Sequence, residues 1–167
     1  SKKFYIGKEA ENSKTLLFLG RFHEVKGIYL LLDAWKSIAN EVIAHNWWLV
    51  FVGYGDNGEL YKKVKSEKDN GFLKRVSVFG PVFDEEKESC FLSSTAYILP
   101  SLSEAMPISA LEAMSYELPC ILSRSCNLSE AIETGSVLAA RPQIESIANS
   151  IRKLMLMSTE ELKTLGE

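Results

Sequence analysis

Cysteine is scarce in this chain. The 167 residues contain three, Cys90, Cys120 and Cys126, and they form neither a CxxC pair nor a zinc-ligand spacing. The odd count argues against a disulfide framework, so free, buried or half-buried thiols in a reducing, cytoplasmic setting are expected. Histidine is scarcer still, with only His23 and His45. No metal cluster and no Ser/His/Asp order emerges from them, so no metal is expected. Positive charge is not in excess: 19 Lys and Arg stand against 22 Asp and Glu, a formal charge of −3. That removes the electrostatic case for nucleic acid or an acidic membrane surface, and any anion site has to be local. No apolar run is long enough to span a bilayer and no secretory signal is visible. No GxxxxGK occurs, which excludes a P-loop. Repeats and low-complexity tracts are missing too.

What remains has the make-up of one compact domain with a substantial core. Hydrophobic residues are 46% and charged residues 25%, ordinary values for a globular chain. Residues 1–14 are polar, carry four lysines and read as an arm or linker. Short apolar runs follow at 15–19, 47–52, 76–79, 96–99, 120–122 and 136–139. Helical patterns lie between and after them, at 28–40, 57–67, 85–92, from Pro107, at about 128–133, at 144–157 and at 159–165. The last has the Ser158/Glu161 spacing of a capping box. The runs are continuous rather than alternating, so both faces of each strand are covered. Alternation of such strands with helices predicts an α/β fold with a doubly wound, mostly parallel sheet of about six strands.

Ligands of such sheets bind beyond the carboxyl ends of the strands. Strand one is followed there by Gly20, Arg21, His23 and Lys26, strand two by Gly53 and Gly55, and strand three by Gly80, Pro81 and Val82. Strand four leads into Ser101, Ser103 and Glu104, then into a helix opened by Pro107. In that helix Ile108, Leu111, Met114 and Leu118 recur at helical spacing and predict its core face. Glu112 falls on the flank of that stripe, beside Ile108, Ser109 and Tyr116. A helix amino end, here Met106 to Ser109, attracts phosphate oxygens. Arg21 and Lys26 add full positive charge, the first able to grip a phosphate with two parallel bonds. Carboxylates beside a diphosphate repel it unless they address hydroxyls, as an acidic residue does with ribose in dinucleotide folds. The edge therefore reads as a site for phosphates plus sugars. Taken singly, Arg21, Lys26 and the two glutamates would each be ordinary surface charges. Their joint placement on the ligand edge favours function.

Gly53-Tyr54-Gly55-Asp56-Asn57-Gly58 matches GxGxxG after a strand. A dinucleotide fingerprint also needs an acid at the end of the next strand. That strand ends Val78-Phe79-Gly80, and Asp56 with Asn57 reads as a helix cap. The glycines are better explained as room for a nucleotide against the backbone. A phosphoacceptor receiver shares the architecture but needs acids after strand one, where Gly20-Arg21 stands.

These residues resemble a family. Gly20-Arg21 with Lys26-Gly27 is similar to the GR…KG motif of retaining, nucleotide-sugar-dependent glycosyltransferases of group 1 (family 4). Val52-Gly53-Tyr54-Gly55 resembles their VGxG turn, and Val78-Phe79-Gly80 their FxG turn. Leu99-Pro100-Ser101 with Glu104 and Glu112, seven residues between them, resembles their PS…E-x7-E signature. Tyr116-Glu117-Leu118-Pro119 stands where a small residue and a glycine usually precede the last proline. The stretch from Ser125 to Glu130 also departs from the common Gly-Gly form, so contacts there are not carried over.

The resemblance covers about 15–140 and implies one Rossmann-like half of a GT-B fold, the carboxyl-terminal, donor-binding one, over 15–167. The amino-terminal acceptor domain would be absent from this chain, and any membrane contact would run through that domain. The resemblance implies that Arg21, Lys26, Met106, Pro107 and Ile108 hold the donor diphosphate. Glu104 would be the catalytic residue, lying against the transferred sugar, and Glu112 would take the ribose hydroxyls. Phe79, Gly80, Pro81 and Val82 would receive the base, and Gly20, Gly53 and Gly55 would allow close backbone approach. No cofactor is implied, since the nucleotide-sugar is a substrate. A stand-alone nucleotide-binding module without catalysis is the alternative reading of the same residues.

Overall fold

The computed structural model describes residue 10 and residues 12–104, 106–126 and 137–167. Its strands are β1 (Lys14–Arg21), β2 (Trp47–Tyr54), β3 (Val76–Phe79), β4 (Ala96–Leu99), β5 (Cys120–Leu122) and β6 (Val137–Ala139). They form one sheet in the order β3-β2-β1-β4-β5-β6, and every pairing is parallel. The helices are α1 (Ile28–Ser37), α2 (Ala39–Ala44), α3 (Glu59–Asp69), α4 (Asp84–Ser93), α5 (Ile108–Ser115), α6 (Ile144–Met155) and α7 (Thr159–Gly166). This is the expected α/β, Rossmann-like arrangement. Right-handed crossovers on either side of β1 place helices on both faces. The continuous apolar runs are buried accordingly: all of β4 and all of β2 but Tyr54 are buried.

The interior is filled by large side chains. Trp35, Trp47, Tyr97, Phe18, Phe51 and Phe91 are fully buried. Phe51 meets Phe18 at 5.7 Å and the edge of Phe22 at 6.4 Å, the tilted and edge-on geometries aromatic rings favour. On another helix pair Phe91 of α4 stacks on Tyr116 at the end of α5, with centroids 5.3 Å apart. The capping box of α7 is present, Ser158 accepting from the Glu161 N–H and Glu161 from the Ser158 N–H.

Several boundaries differ from expectation. The helix expected over 28–40 stops at Ser37, because Ile38 leaves helical geometry (φ −118°, ψ 28°) before α2 begins. The helix expected from residue 57 starts at Glu59, since the Asp56 carboxylate takes the N–H groups of Gly58 and Leu60 at 3.1 and 2.7 Å. The helix expected at about 128–133 and most of the arm at 1–14 lie outside the described residues. The core face expected for α5 is wrong. Ala110 and Ala113 are the buried residues of that helix, whereas Ile108 and Leu111 are 58% and 45% exposed. Leu118, beyond the helix, is buried and Met114 half-buried. Two alanines let the helix lie close on the sheet, which turns its larger apolar residues toward the strand ends and solvent.

Two glycines hold the ligand edge together. Gly20 and Gly53 are direct partners of β1 and β2, and a Cβ on Gly53 would fall 1.8 Å from the Gly20 carbonyl oxygen. Gly27 has φ 77°, and a Cβ there would fall 2.1 Å from the Pro100 carbonyl oxygen. Gly27→Ala therefore has both a left-handed backbone and a collision to relieve. It is expected to cost more than about 1 kcal/mol, read as a lower urea midpoint. An unchanged midpoint would show that the loop relaxes freely.

Cys90, Cys120 and Cys126 are free and buried, as expected. Burial pushes the Cys90 and Cys120 thiols up to about 12, from an ordinary 9.0. The folded chain keeps protons that the unfolded chain releases. Stability from these groups is complete below about pH 9 and is lost as pH rises toward about 12, at about 1.4 kcal/mol per thiol per pH unit. Urea unfolding between about pH 8 and pH 10 should show this decline, and Cys90→Ala should make it shallower. A slope identical in parent and variant would contradict the assignment.

Candidate functional site

The strand order reverses between β1 and β4, so the chain leaves these neighbours in opposite directions. A crevice opens beyond their carboxyl ends, the usual ligand position in such sheets. Here it consists of two clefts that share Leu19, Gly20 and Arg21. One, of about 520 Å³, lies toward β2 and α4 and is bordered by Gly53, Pro81, Val82, Lys87 and Glu112, among others. The other, of about 450 Å³, lies toward the β4 loop and is bordered by Lys26, Glu104, Met106, Pro107, Ile108 and Ser109.

Local sequence sets each side chain. After β1 the His23 ring accepts the Val25 N–H at 3.1 Å and caps a single 3-10 turn, Glu24–Lys26. His23 thus has a structural duty. The turn presents Lys26 to the second cleft, where its ammonium donates to Glu104 Oε2. The Glu104 side chain is 8% exposed and that of Lys26 23%. The loop carrying Glu104 is pinned from below. Leu102 N–H donates to the Val25 carbonyl at 2.7 Å. The Ser101 hydroxyl lies 2.8 Å from the Ser103 carbonyl, and Ser123 donates to the Ser101 carbonyl at 2.7 Å. Ser101 and Ser123 are buried, and Ser125 also donates to the Ser101 carbonyl. Beneath them the Tyr97 hydroxyl donates to the Leu19 carbonyl at 3.3 Å; burial raises its pKa well above the ordinary value, so it stays neutral.

Pro107 is the cap residue of α5 rather than its first helical residue. The amino end of α5 borders the second cleft through Pro107, Ile108 and Ser109, with the Ile108 N–H given to the Met106 carbonyl at 2.9 Å. Arg21 is exposed and borders both clefts. Gly55 borders neither, and the space beside it is taken by Arg21, whose Cγ would lie 2.7 Å from a Cβ there. Pro81 and Val82 line the first cleft, while Phe79 and Gly80 line neither. Glu104 and Glu112 thus occupy different clefts, with Arg21 between them.

Sequence reasoning missed Lys87. It sits on α4, and its ammonium lies 2.7 Å from Glu112 Oε1 on α5. No local pattern announces this pair, because the crossover from β3 to β4 creates it. The serine network was equally hidden, since its members come from loops after different strands. Among the described residues no three His, Cys, Asp or Glu side chains gather as for a metal. Nor is any helix among them long and apolar enough to cross a membrane.

The family model for "Glycosyl transferases group 1" matches residues 2–167, and the chain belongs to that family. An uncharacterized glycosyltransferase of Methanocaldococcus jannaschii is 32% identical over 154 residues, which are 90% of this chain and 40% of the relative. The UDP-Gal:alpha-D-GlcNAc-diphosphoundecaprenol alpha-1,3-galactosyltransferase of Escherichia coli is 35% identical over 115 residues, 67% of this chain and 28% of that one. The chain thus spans well under half the length of these relatives. The fold matches sucrose-phosphate synthase from Thermosynechococcus elongatus, with a TM-score of 0.78 at 24% identity over 93% of this chain and 39% of that one.

The Lys26–Glu104 pair makes a direct test. Lys26→Ala leaves a carboxylate that is only 8% exposed without its ammonium. The expected cost is about 1–3 kcal/mol, below that of breaking a fully buried pair because Lys26 keeps some water. Adding Glu104→Gln should recover part of that loss in urea unfolding. Strictly additive losses would mean the two charges are uncoupled.

Proposed function

We propose that residues 15–167 are the donor-binding domain of a retaining glycosyltransferase, which moves a sugar from a nucleotide-sugar to an acceptor glycan, lipid or polysaccharide precursor. The observation that carries this reading is how the groups divide between two joined clefts. Pro81, Val82 and Glu112 border the first, Lys26, Glu104 and the α5 amino end border the second, and Arg21 borders both. That division suits a nucleotide-sugar whose base and ribose take the first cleft and whose diphosphate and sugar take the second. Family membership supports the class of reaction, and the E. coli relative is named for a nucleotide-sugar, UDP-Gal.

In this reading Glu112 accepts the ribose hydroxyls while the backbone around Phe79, Gly80, Pro81 and Val82 receives the base. Arg21, Lys26 and the Met106–Pro107–Ile108 turn hold the diphosphate. Gly20 and Gly53 keep the floor free of side chains. When the sugar–phosphate bond breaks, negative charge grows on the leaving diphosphate. Fixed cations and a helix end already aimed there stabilise it without reorganisation. The cations serve this purpose without a metal ion or cofactor. The diphosphate shares Lys26 with Glu104, and the carboxylate faces the sugar. The acceptor is held by a separate amino-terminal domain, to which any membrane contact belongs. The free thiols fit a cytoplasmic setting.

Thermal shift with UDP, GDP and ADP and their sugar conjugates tests the site. A ligand at 100 times its Kd adds about 2.7 kcal/mol. Glu112→Ala should weaken the bare diphosphate and its sugar conjugate alike. Glu104→Ala should weaken the conjugate selectively, and in the full-length enzyme it should lower kcat more than it raises KM. If both variants bind both ligands as the parent does, the site is elsewhere. Rapid sugar transfer by residues 1–167 alone would overturn the separate acceptor domain.

A further inference from the structure

We infer that Lys87 is a positioning residue for the ribose end of the donor, acting through Glu112. The inference rests on the reading of Glu112 as the ribose acceptor. Lys87 and Glu112 come from different helices and meet at 2.7 Å, with about a third of each side chain exposed. A glutamate in that setting has three freely turning bonds and water on one side. Its carboxylate would otherwise sample many orientations, and a ligand would bear the entropy of choosing one. The ammonium fixes that choice in advance through Oε1.

Counting acceptor positions shows why the pairing does not spoil the site. A carboxylate offers about four lone-pair positions. Lys87 occupies one on Oε1, and a vicinal diol needs two. One position on Oε1 and those on Oε2 remain, enough for both hydroxyls to donate side by side. The pair also answers a charge problem. The first cleft is bordered by Asp84, Glu88 and Glu112, against Arg21 and Lys87. A nucleotide seated there meets three carboxylates, and Lys87 neutralises Glu112. A surface ion pair kept for stability alone would contribute little at this exposure. Its place inside the cleft, on the carboxylate read as the ribose acceptor, gives it a different duty.

The test separates ribose recognition from general electrostatics. Titration calorimetry compares UDP, GDP or ADP, whichever base gives the largest thermal shift, with its 2′,3′-dideoxy counterpart. It is run in high salt to screen long-range attraction. Lys87→Ala is expected to weaken the ribonucleotide about five- to tenfold, the scale of one charge-assisted hydrogen bond made less well. The dideoxy nucleotide should change by less than about twofold in the same salt. Lys87→Arg, which keeps the donor, should restore most of the difference, and the melting temperature of Lys87→Ala should stay near that of the parent. Glu112→Gln is the control and should lose the same ribose preference. If Glu112→Gln loses it and Lys87→Ala does not, the positioning role is overturned while the site stands. Equal losses of both nucleotides in Lys87→Ala overturn it too. If the parent itself shows no preference for the ribonucleotide, the assignment of Glu112 fails and takes this inference with it.

Discussion

The reversal of strand order between β1 and β4 is the constraint on which the rest depends. Two parallel neighbours whose chains depart to opposite sides cannot cover the space above their own ends. Right-handed crossovers forbid any other exit. The sheet therefore leaves a crevice at one place, and the loops after β1 and β4 become its walls. The charged groups assigned to the donor stand at the end of β1 or on those two loops, apart from Lys87 on α4 and Glu112 on α5. Glu112 stands on the helix that follows the β4 loop.

Charge along the crevice is locally balanced rather than uniformly positive. Lys26 faces Glu104, and Lys87 faces Glu112, with Arg21 exposed between the clefts. A chain of net charge −3 cannot draw an anion from a distance. Its selectivity has to come at contact. Each cation–carboxylate pair presents a donor to phosphate or a fixed acceptor to a hydroxyl, according to what arrives. Such pairs bind little by Coulomb attraction at long range, and they bind well where geometry is matched.

Much of the fold was legible because burial on both faces leaves a direct trace in sequence. The runs at 47–52 and 96–99 are apolar throughout, and the strands built from them are buried almost end to end. The candidate site was legible to the extent that it lies on short loops after strands. Arg21, Lys26, Glu104, Pro81 and Val82 all border the crevice. The failure at α5 has a definite cause. Periodicity detects large apolar residues, whereas a helix lying close on a sheet needs small ones, and Ala110 and Ala113 were passed over. Lys87 and the mutual bonding of the buried serines were invisible for another reason. Their partners are distant in sequence, and no local spacing encodes which loops a crossover brings together.

The contact between Gly53 and Gly20, and that between Gly27 and Pro100, join the family's motifs to one another. Gly27 and Gly53 are therefore required by the backbone whether or not any sugar is transferred. A descendant of this domain that had lost Arg21, Lys26 and Glu104 would still need both to fold. In a survey of genomes, glycine at positions 27 and 53 would track the fold, whereas the ionic residues beside them would track the proposed donor binding. A relative that keeps the first set and not the second is a candidate for a scaffold that has outlived its reaction.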